Sequence, residues 1–408
     1  MRLGSHNGRV LRALFLENLH PLAVPVLESA GFTVTTRTGA LDEDELIDAL
    51  DGVHLLGIRS KTNVTERVFD QANDLIAVGA YCIGTNQIDL PAASRAGVAV
   101  FNAPFQNTRS VVEIAVCEII SLARRLTPLN SALHKGIWEK TAEGAHEVRG
   151  RTLGIVGYGN IGSQLSVIAE MLGMSVIFYD IAEKLALGNA HRMNTLAELL
   201  ERAEIVSLHV DGRPGNAGLF GAREFAQMRP RSLFLNLSRG FVVDHAALRE
   251  AIESGHLKGA AIDVFPTEPK RRGDEFHSDL RGLPNVILTP HIGGSTQEAQ
   301  EAIGVFVSTK LRDYVATGST TLSVNLPKLA LEKSTGVCRI THLHNNTPGV
   351  LAAVNATLSQ VGANIEAQLL ATRGSLGYVV TDVGSALPPD VIEALSTMEQ
   401  TIALRVLS

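Results

Sequence analysis

The sequence predicts an α/β protein with two doubly wound parallel-sheet domains, a discontinuous substrate domain and a Rossmann domain, followed by a small ferredoxin-like α+β module. Three observations predict this fold class. Short apolar runs alternate with amphipathic segments over residues 9–101, the same alternation resumes at Arg151, and a β-α-β-β-α-β order follows residue 328. Alternation of strands and helices is typical of a parallel sheet covered on both faces.

The first domain is expected to contain five strands with helices near residues 21–30, 42–50, 65–72 and 89–96. Residues 1–8 are expected to be a loose lead-in. The strand candidates are VLRALFL, FTVTT, VHLLGIRS, LIAVGA and VAVFN. Residues 108–125 then predict one long helix. Its apolar stripe comprises Val112, Ala115, Val116, Ile119, Ile120 and Ala123.

The second domain has six strand candidates, the number of a complete dinucleotide fold. They are TLGIVG, SVIFYD, EIVSLHV, SLFLNLS, GAAID and VILTP. A helix over 297–317 and a linker over 318–328 lead to the C-terminal module, whose order is that of a split β-α-β unit. We therefore expect a substrate-binding domain of residues 1–107 and 295–328, a dinucleotide domain of 108–294 and a regulatory module of 334–408.

The composition limits the function. The 408 residues are 45% hydrophobic and 19% charged, and a net charge of −6 argues against bulk attraction to nucleic acid. The three cysteines lie far apart and offer neither a disulfide framework nor metal-ligand spacing, which predicts a reducing cytoplasm and no metal. No segment approaches 18 consecutive apolar residues, so no membrane span is expected.

A glycine motif after the first strand of the second domain predicts a dinucleotide site. Gly157, Gly159 and Gly162 have the GxGxxG spacing between a strand and a helix, and Asp180 ends the next strand. Glycines let the backbone approach a pyrophosphate, the helix N-terminus favours its charge, and a carboxylate accepts from ribose hydroxyls. The carboxylate would repel a 2′-phosphate, which favours NAD over NADP. The alternative is a structural glycine-rich turn.

Five polar side chains follow three different strands of the same domain. Ser238 and Arg239 follow SLFLNL, Asp263 and Glu268 follow GAAI, and His291 follows VILTP. Ligands of open α/β sheets bind at the carboxyl ends of the strands. A histidine can take a hydroxyl proton, a carboxylate beside it stabilises the imidazolium, and an arginine binds a substrate carboxylate through two parallel bonds. These residues predict oxidation of a hydroxy acid. Taken singly, the histidine could instead be a structural capping group and the glutamate a turn residue.

The motifs GYGNIG, LNLSRG, AIDVFPTEP and TPHIGGST resemble those of the D-2-hydroxyacid dehydrogenases. IRSKTNVTE at 58–66 and FNAPFQNTRSVVE at 101–113 resemble the branch of this family that oxidises 3-phospho-D-glycerate and is regulated by serine. The resemblance implies that His291 is the acid/base, that Glu268 is its partner, and that Arg239 orients the substrate carboxylate.

The resemblance also implies the ligand contacts. The expected NAD contacts, besides the glycines and Asp180, are Asn160, Ile161, Leu237, Ser238, Asp263, Gly293 and Gly294. The expected substrate contacts from the first domain are Arg59, Ser60, Lys61 and Asn107. Relatives carry an arginine where this chain has Lys61, which puts phosphate affinity in question because lysine binds phosphate as a point charge.

The segment HLHNNTPGVLAAV at 342–354 resembles an ACT domain, an amino-acid-binding module. By resemblance, His344, Asn346 and Asn364 bind serine between two such modules, and the chain forms a homotetramer. The alternative is that Asn346 caps a helix and that Asn364 is a turn residue.

The expected function is NAD-dependent oxidation of 3-phospho-D-glycerate to 3-phosphooxypyruvate, the first step of serine biosynthesis, with feedback inhibition by serine. Two alternatives stay open. One is the same chemistry on another 2-hydroxy acid such as 2-hydroxyglutarate, and the other is a non-catalytic, NAD-sensing protein of the same fold.

Overall fold

The structure is a computed structural model that describes residues 11–269, 273–332 and 338–407, together with the backbone of residues 2–5. It contains two compact units. Residues 1–106 and 300–408 form the first unit, and residues 107–299 form the second. No helix among the described residues is long and apolar enough to cross a membrane.

The first unit begins with a five-stranded parallel sheet, which confirms the five predicted strands. Its strands are β2 (Leu11–Phe15), β3 (Phe32–Thr36), β4 (Leu55–Ile58), β5 (Ala77–Ala80) and β6 (Ala99–Asn102), in the order β3-β2-β4-β5-β6. Its helices are α1 (Ala23–Glu28), α2 (Glu43–Ala49), α3 (Glu66–Gln71) and α4 (Leu90–Arg95). The side chains of Asp42, Thr65 and Asp89 cap the last three helices at their N-termini, which satisfies amide groups that lack intrahelical partners.

The second unit contains a seven-stranded parallel sheet in the order β13-β12-β11-β10-β7-β8-β9. The strands are β7 (Thr152–Val156), β8 (Ser175–Tyr179), β9 (His191–Arg192), β10 (Ile205–Leu208), β11 (Ser232–Asn236), β12 (Leu257–Ile262) and β13 (Val286–Leu288). The helices are α5 (Thr108–Ala123), α6 (Leu126–His134), α7 (Asn160–Met171), α8 (Leu196–Arg202), α9 (Ala222–Gln227) and α10 (His245–Glu253). The six predicted strands are confirmed, and the two-residue β9 was not predicted.

The buried face of α5 differs from the predicted stripe. Ile120 is exposed, whereas Val111, Glu118 and Leu122 are buried. The prediction failed because it followed hydrophobicity alone, and the face that packs on the sheet includes a glutamate in place of that isoleucine.

The C-terminal part of the first unit is a five-stranded sheet in the order β1-β17-β14-β16-β15, with two helices. The helix α11 (Gln297–Thr317) leads to its elements, which are β14 (Cys338–Asn345), α12 (Val350–Gln360), β15 (Ile365–Arg373), β16 (Leu376–Val383), α13 (Pro389–Ser396) and β17 (Thr401–Leu407). The predicted β-α-β-β-α-β order is confirmed. The predicted loose lead-in is wrong in part, because Arg2–Ser5 form β1 and pair in parallel with β17. The sequence of β1 is too short to show periodicity.

A buried ion pair joins this sheet to the preceding helix. Arg339 and Asp382 lie opposite each other on β14 and β16, with Nε to Oδ1 at 2.6 Å and almost no exposed surface. Arg339 also donates to the carbonyl oxygens of Thr317, Leu331 and Glu332 at 2.7–3.0 Å. Because a buried cation is costly unless all its donors have partners, these bonds fix the sheet against the end of α11.

Candidate active site

The loop that joins β7 to α7 leaves the N-terminus of the helix open. Gly157 has φ +91°, and a Cβ atom there would lie 2.7 Å from the carbonyl carbon of His209, so only glycine fits. Gly159 directly precedes the helix, and a Cβ atom there would have no neighbour within 4 Å. The amide groups of this helix end therefore face space that a pyrophosphate can fill. The residues present fit a dinucleotide.

Asp180 directly follows β8 and fixes the same loop. Its Oδ2 accepts from the amide of Tyr158 and its Oδ1 from that of Ala182, both at 2.8 Å. Each carboxylate oxygen has a second lone pair, so Asp180 can still accept from the ribose hydroxyls of a dinucleotide.

His291 and Glu268 form a hydrogen-bonded pair in the second unit. Nδ1 of His291 lies 2.9 Å from Oε2 and 3.1 Å from Oε1 of Glu268. With Nδ1 bonded to the carboxylate, Nε2 remains to exchange a proton with a ligand. The backbone of His291 has φ 53°, a region that non-glycine residues seldom adopt and that often marks functional positions.

Asp263 holds the loop that carries His291. It is 2% exposed and accepts from Oγ1 of Thr289 at 2.6 Å and from the amides of Ile292 and Gly293 at 2.8 Å. Both of its oxygens are engaged by this loop. The structure thus gives Asp263 a role in positioning His291, while its predicted contact with the nicotinamide stays a prediction.

Arg239 is positioned by its own loop. The buried Asn236 accepts from the amide and hydroxyl of Ser238 at 3.0 and 2.7 Å and donates to the carbonyl of Arg239 at 3.1 Å. A Cβ atom on Gly240 would lie 1.9 Å from the carbonyl carbon of Phe265. This close approach, which only glycine allows, joins the arginine loop to the loop that carries Glu268.

The charges of Arg239, Glu268 and His291 act on one another. Burial acts to raise the pKa of Glu268, but the hydrogen bond from His291 and the charges of His291 and Arg239 outweigh it, so the pKa is lowered. The hydrogen bond to Glu268 raises the pKa of His291 above 6.5, against the opposing effects of burial and Arg239. The structure therefore brings Arg239, Glu268 and His291 together, as predicted from three separate motifs.

Three polar residues that organise loops or the buried face of a helix were not predicted, two in the second unit and one in the first. Asn236 is described above. Glu118 on α5 is 3% exposed and, within the described residues, neither of its carboxyl oxygens has a hydrogen-bond partner. Burial, together with the charge of Asp263, raises the pKa of Glu118 to about 8. In the sequence, Glu118 lies four residues before Leu122, and this helical spacing indicated that Glu118 shares the buried face of α5. The third residue, Glu17, lies in the first unit.

Glu17 organises the loop that contains the predicted phosphate contacts. Its carboxylate accepts from the amides of Ser60 and Lys61 at 3.0 Å and from that of Thr62 at 2.8 Å. Arg59 is partly exposed where β4 ends, and the side chains of Ser60 and Lys61 are exposed. A short loop therefore presents two cations and a hydroxyl.

Asn107 was expected in the first domain but belongs to the second unit, where it directly precedes α5. Within the described residues its buried Oδ1 has no hydrogen-bond partner. An unsatisfied buried acceptor is uncommon and is free to bind a donor on a ligand.

Within one chain, the three predicted effector residues do not lie at one place. His344 is buried, and Asn346 donates to the carbonyl of Gly374 at 3.2 Å, at the end of the sheet where β15 turns into β16. Asn364 precedes the first residue of β15, so it lies at the opposite end. Nine residues of β15 separate the two asparagines by roughly 25 Å.

Comparisons with known proteins agree with this geometry. Residues 116–293 match the model of the D-isomer specific 2-hydroxyacid dehydrogenase NAD-binding domain, and residues 340–403 match an AHAS small subunit-like ACT domain. The chain is 46% identical to D-3-phosphoglycerate dehydrogenase of Dictyostelium discoideum and 47% identical to that of Escherichia coli strain K12, in each case over 97% of both chains. 

The chain belongs to the D-isomer specific 2-hydroxyacid dehydrogenase family.

A solved structure has a similar fold. The D-lactate dehydrogenase of Aquifex aeolicus, solved with NAD and lactic acid, is 25% identical, with a TM-score of 0.65 over 74% of this chain and 95% of that one. As a D-isomer specific 2-hydroxyacid dehydrogenase, the chain is an NAD-dependent oxidoreductase. The predicted fold class, cofactor and ACT module are confirmed.

Proposed function

We propose that this dehydrogenase oxidises 3-phospho-D-glycerate to 3-phosphooxypyruvate with NAD, the entry reaction of serine biosynthesis. The observation that supports this reaction most directly is the hydrogen bond between His291 and Glu268, close enough to Arg239 to feel its charge. The full-length relatives named D-3-phosphoglycerate dehydrogenase, at 46% and 47% identity, support this substrate over other hydroxy acids.

The protein residues provide proton transfer and orientation. The glycine loop and Asp180 would hold NAD, which would supply the acceptor for the hydride from the carbon that bears the hydroxyl group. Neutral His291 takes the hydroxyl proton at Nε2, and Glu268 at Nδ1 stabilises the imidazolium that forms. In the reverse direction the imidazolium returns that proton to the oxygen of the ketone.

Arg239 is proposed to bind the carboxylate of the substrate. Its Nη1 donates to the carbonyl of Ser238 at 2.7 Å, which leaves its other N–H groups for a ligand. A guanidinium can bind a carboxylate through two parallel hydrogen bonds, and this geometry orients the neighbouring carbon.

Arg59, Ser60 and Lys61 are proposed to contact the substrate, and the two cations suit its phosphate. The carboxylate of Glu17 supports this assignment because it holds the amides of the loop in place. Asn107 is proposed as a further contact through its unsatisfied Oδ1.

We further propose that serine is an effector bound between two C-terminal modules. The roughly 25 Å between Asn346 and Asn364 in one chain supports a site shared by two chains. His344 and Asn346 would come from one copy and Asn364 from another. Serine inhibits if it binds one global state more tightly than the other.

A homotetramer is proposed for the assembly. Exposed apolar side chains on and just after α6 support an interface in the second unit. They are Leu126, Leu133, Ile137 and Trp138, the last of which is 79% exposed. The edge strand β15 supports a second interface, because Leu369 and Leu370 are exposed there. The three cysteines lie far apart in the sequence, at positions 82, 117 and 338, and offer no disulfide framework, which supports a cytoplasmic location.

The decisive experiment is a steady-state assay of NADH oxidation with phosphooxypyruvate, compared with 2-oxoglutarate, each with and without serine. We expect kcat/KM to be much higher for phosphooxypyruvate and the rate to fall with serine. A phosphooxypyruvate rate at background, with turnover of 2-oxoglutarate, would assign the enzyme to the other acid.

A variant separates catalysis from binding. His291→Ala should abolish turnover and leave NADH binding, measured by fluorescence titration, within about twofold of the native chain. If turnover persists, His291 is not the acid/base. If neither substrate reacts with the native chain but NADH binds, the chain is an NAD-sensing protein.

A further inference from the structure

A basic cavity lies at the edge of the seven-stranded sheet opposite to the dinucleotide loop. Its volume is about 180 Å³, and its polar wall consists of His146, Arg151, Glu204, Arg229, Arg231, Ser232 and Lys258. All seven belong to the second unit. None of them belongs to the proposed active site, whose residues follow the carboxyl ends of the strands.

The parallel sheet explains why these residues meet. Arg151 and Glu204 each directly precede a strand, Ser232 is the first residue of β11, and Lys258 is the second residue of β12. Parallel strands present their amino ends at one edge, so the four side chains share that edge. Arg231 directly precedes β11 with φ 66°.

The cations of the cavity exceed its carboxylates. Arg151 pairs with Glu204 at 2.8 Å, and the other oxygen of Glu204 accepts from the amide of Thr152 at 3.1 Å. In the part of the chain that the structure describes, no carboxylate lies within ion-pair distance of Arg229, Arg231 or Lys258. Three like charges around one cavity repel one another, and an anion placed among them would relieve that repulsion.

Ser232 supplies an independent sign of a ligand. The residue is 2% exposed, it lines the cavity, and within the described residues its hydroxyl has no hydrogen-bond partner. Buried hydroxyl groups nearly always have a partner. A hydroxyl donor on the wall of a basic cavity is suited to an anionic oxygen.

We propose that this cavity binds a small phosphate-bearing anion. Two guanidinium groups match the geometry of phosphate oxygens, and the ammonium group of Lys258 adds a point charge. The volume of about 180 Å³ is below that of sites for drug-sized ligands. The ligand is therefore inorganic phosphate or a phosphate monoester with a few carbon atoms.

The test measures thermal unfolding of the full chain, saturated with NADH, against inorganic phosphate at constant ionic strength. Phosphate should raise the midpoint by a few degrees in a saturable way. The double variant Arg231→Gln/Lys258→Gln should lose this saturable rise. The control Arg223→Gln, which removes an exposed arginine of α9 outside the cavity wall, should keep it.

Ser232→Ala tests the site without a change of charge, should the double variant fail to fold. The half-saturating phosphate concentration should rise about tenfold, as for the loss of one hydrogen bond to a charged group. A titration with glycerol phosphate then distinguishes the two sources, since tighter binding than phosphate indicates an organic monoester and equal or weaker binding indicates the free ion.

Three outcomes would overturn the proposal. One is the absence of a saturable rise in the native chain. Another is the same rise in the native, control and cavity variants. The last is a fall in the assembled mass of the cavity variants during sedimentation with an unchanged phosphate response, which would assign the cavity to a contact between copies.

Discussion

At the scale of single residues, the bond between His291 and Glu268 sets the pH range of the reaction. Because that bond raises the pKa of His291 above 6.5, the neutral base needed for oxidation is lost as the pH falls through the raised value. The reverse reaction needs the imidazolium and is lost as the pH rises through the same value.

The variant Glu268→Gln should move both limits to lower pH. A neutral amide cannot stabilise the imidazolium as a carboxylate does, so the pKa of His291 falls. We expect kcat/KM for oxidation to drop about 10²–10⁴-fold at its optimum and its acid limb to shift downward. Profiles of kcat/KM from pH 5 to 9 measure this, and an unshifted limb would show that another group titrates.

Glu118 makes a separate prediction about stability. Its pKa is about 8 in the folded protein, against an ordinary value of 4.5. Between pH 4.5 and about 8, Glu118 is ionised in the unfolded chain but keeps its proton in the folded chain. The free energy of unfolding is therefore unaffected by Glu118 at low pH and falls as the pH rises above 4.5. Glu118→Gln should remove this loss, which is at most roughly 3 kcal/mol at pH 7.

Urea unfolding at pH 5 and pH 8 measures the effect of Glu118→Gln. The free energy of unfolding should rise more at pH 8 than at pH 5. The matched control is Glu113→Gln, an exposed glutamate on the same helix, whose effect should be small and similar at both pH values.

At the scale of elements, one backbone contact, between Gly240 and Phe265, sets the relative position of two active-site loops. They are the arginine loop, which carries Arg239, and the glutamate loop, which carries Glu268. Gly240 leaves no room for a Cβ atom against the carbonyl carbon of Phe265. Gly240→Ala should separate the arginine loop from the glutamate loop and destabilise the protein by about 1–3 kcal/mol. The rate should fall further than stability explains, because Arg239 and Glu268 move apart.

The control for this change is Gly215→Ala, where an added Cβ atom meets no neighbour within 4 Å. Steady-state kinetics and thermal unfolding of both variants are compared. If Gly240→Ala retains the native rate, the two loops do not depend on this contact.

The elements also show what sequence could and could not predict. The glycine motif and the strand ends at Arg239 and His291 were predictable, because strand periodicity places such residues at one edge of a parallel sheet. Glu17 was not predictable, because the amides that it accepts from lie 43 to 45 residues away in the sequence. Asn236 was missed although its partners follow within three residues, because an asparagine at the end of an apolar strand has no distinctive pattern. Glu118 was missed because a pattern of apolar residues has no place for a buried acid.

At the scale of the whole molecule, the separation of Asn346 from Asn364 predicts complementation between chains. Asn346→Ala and Asn364→Ala should each abolish serine inhibition in a uniform assembly. Two chains that pair, one of each variant, form two shared sites. One site carries both substitutions, and the other has both asparagines intact, so part of the inhibition should return. Serine titration of co-expressed, separately tagged chains measures this. No recovery would contradict a site shared between copies.

The guanidinium of Arg339, enclosed between β14, β16 and the end of α11, has a consequence for attempts to divide the protein. Cutting the chain between residues 332 and 338 leaves its bonds to Thr317 and Leu331 in place, so a nicked molecule should elute as one species in gel filtration. Producing the C-terminal module alone removes these carbonyl partners and opens the buried pair to water. A free-standing C-terminal module taken from this enzyme would therefore need that arginine redesigned, for example together with Asp382.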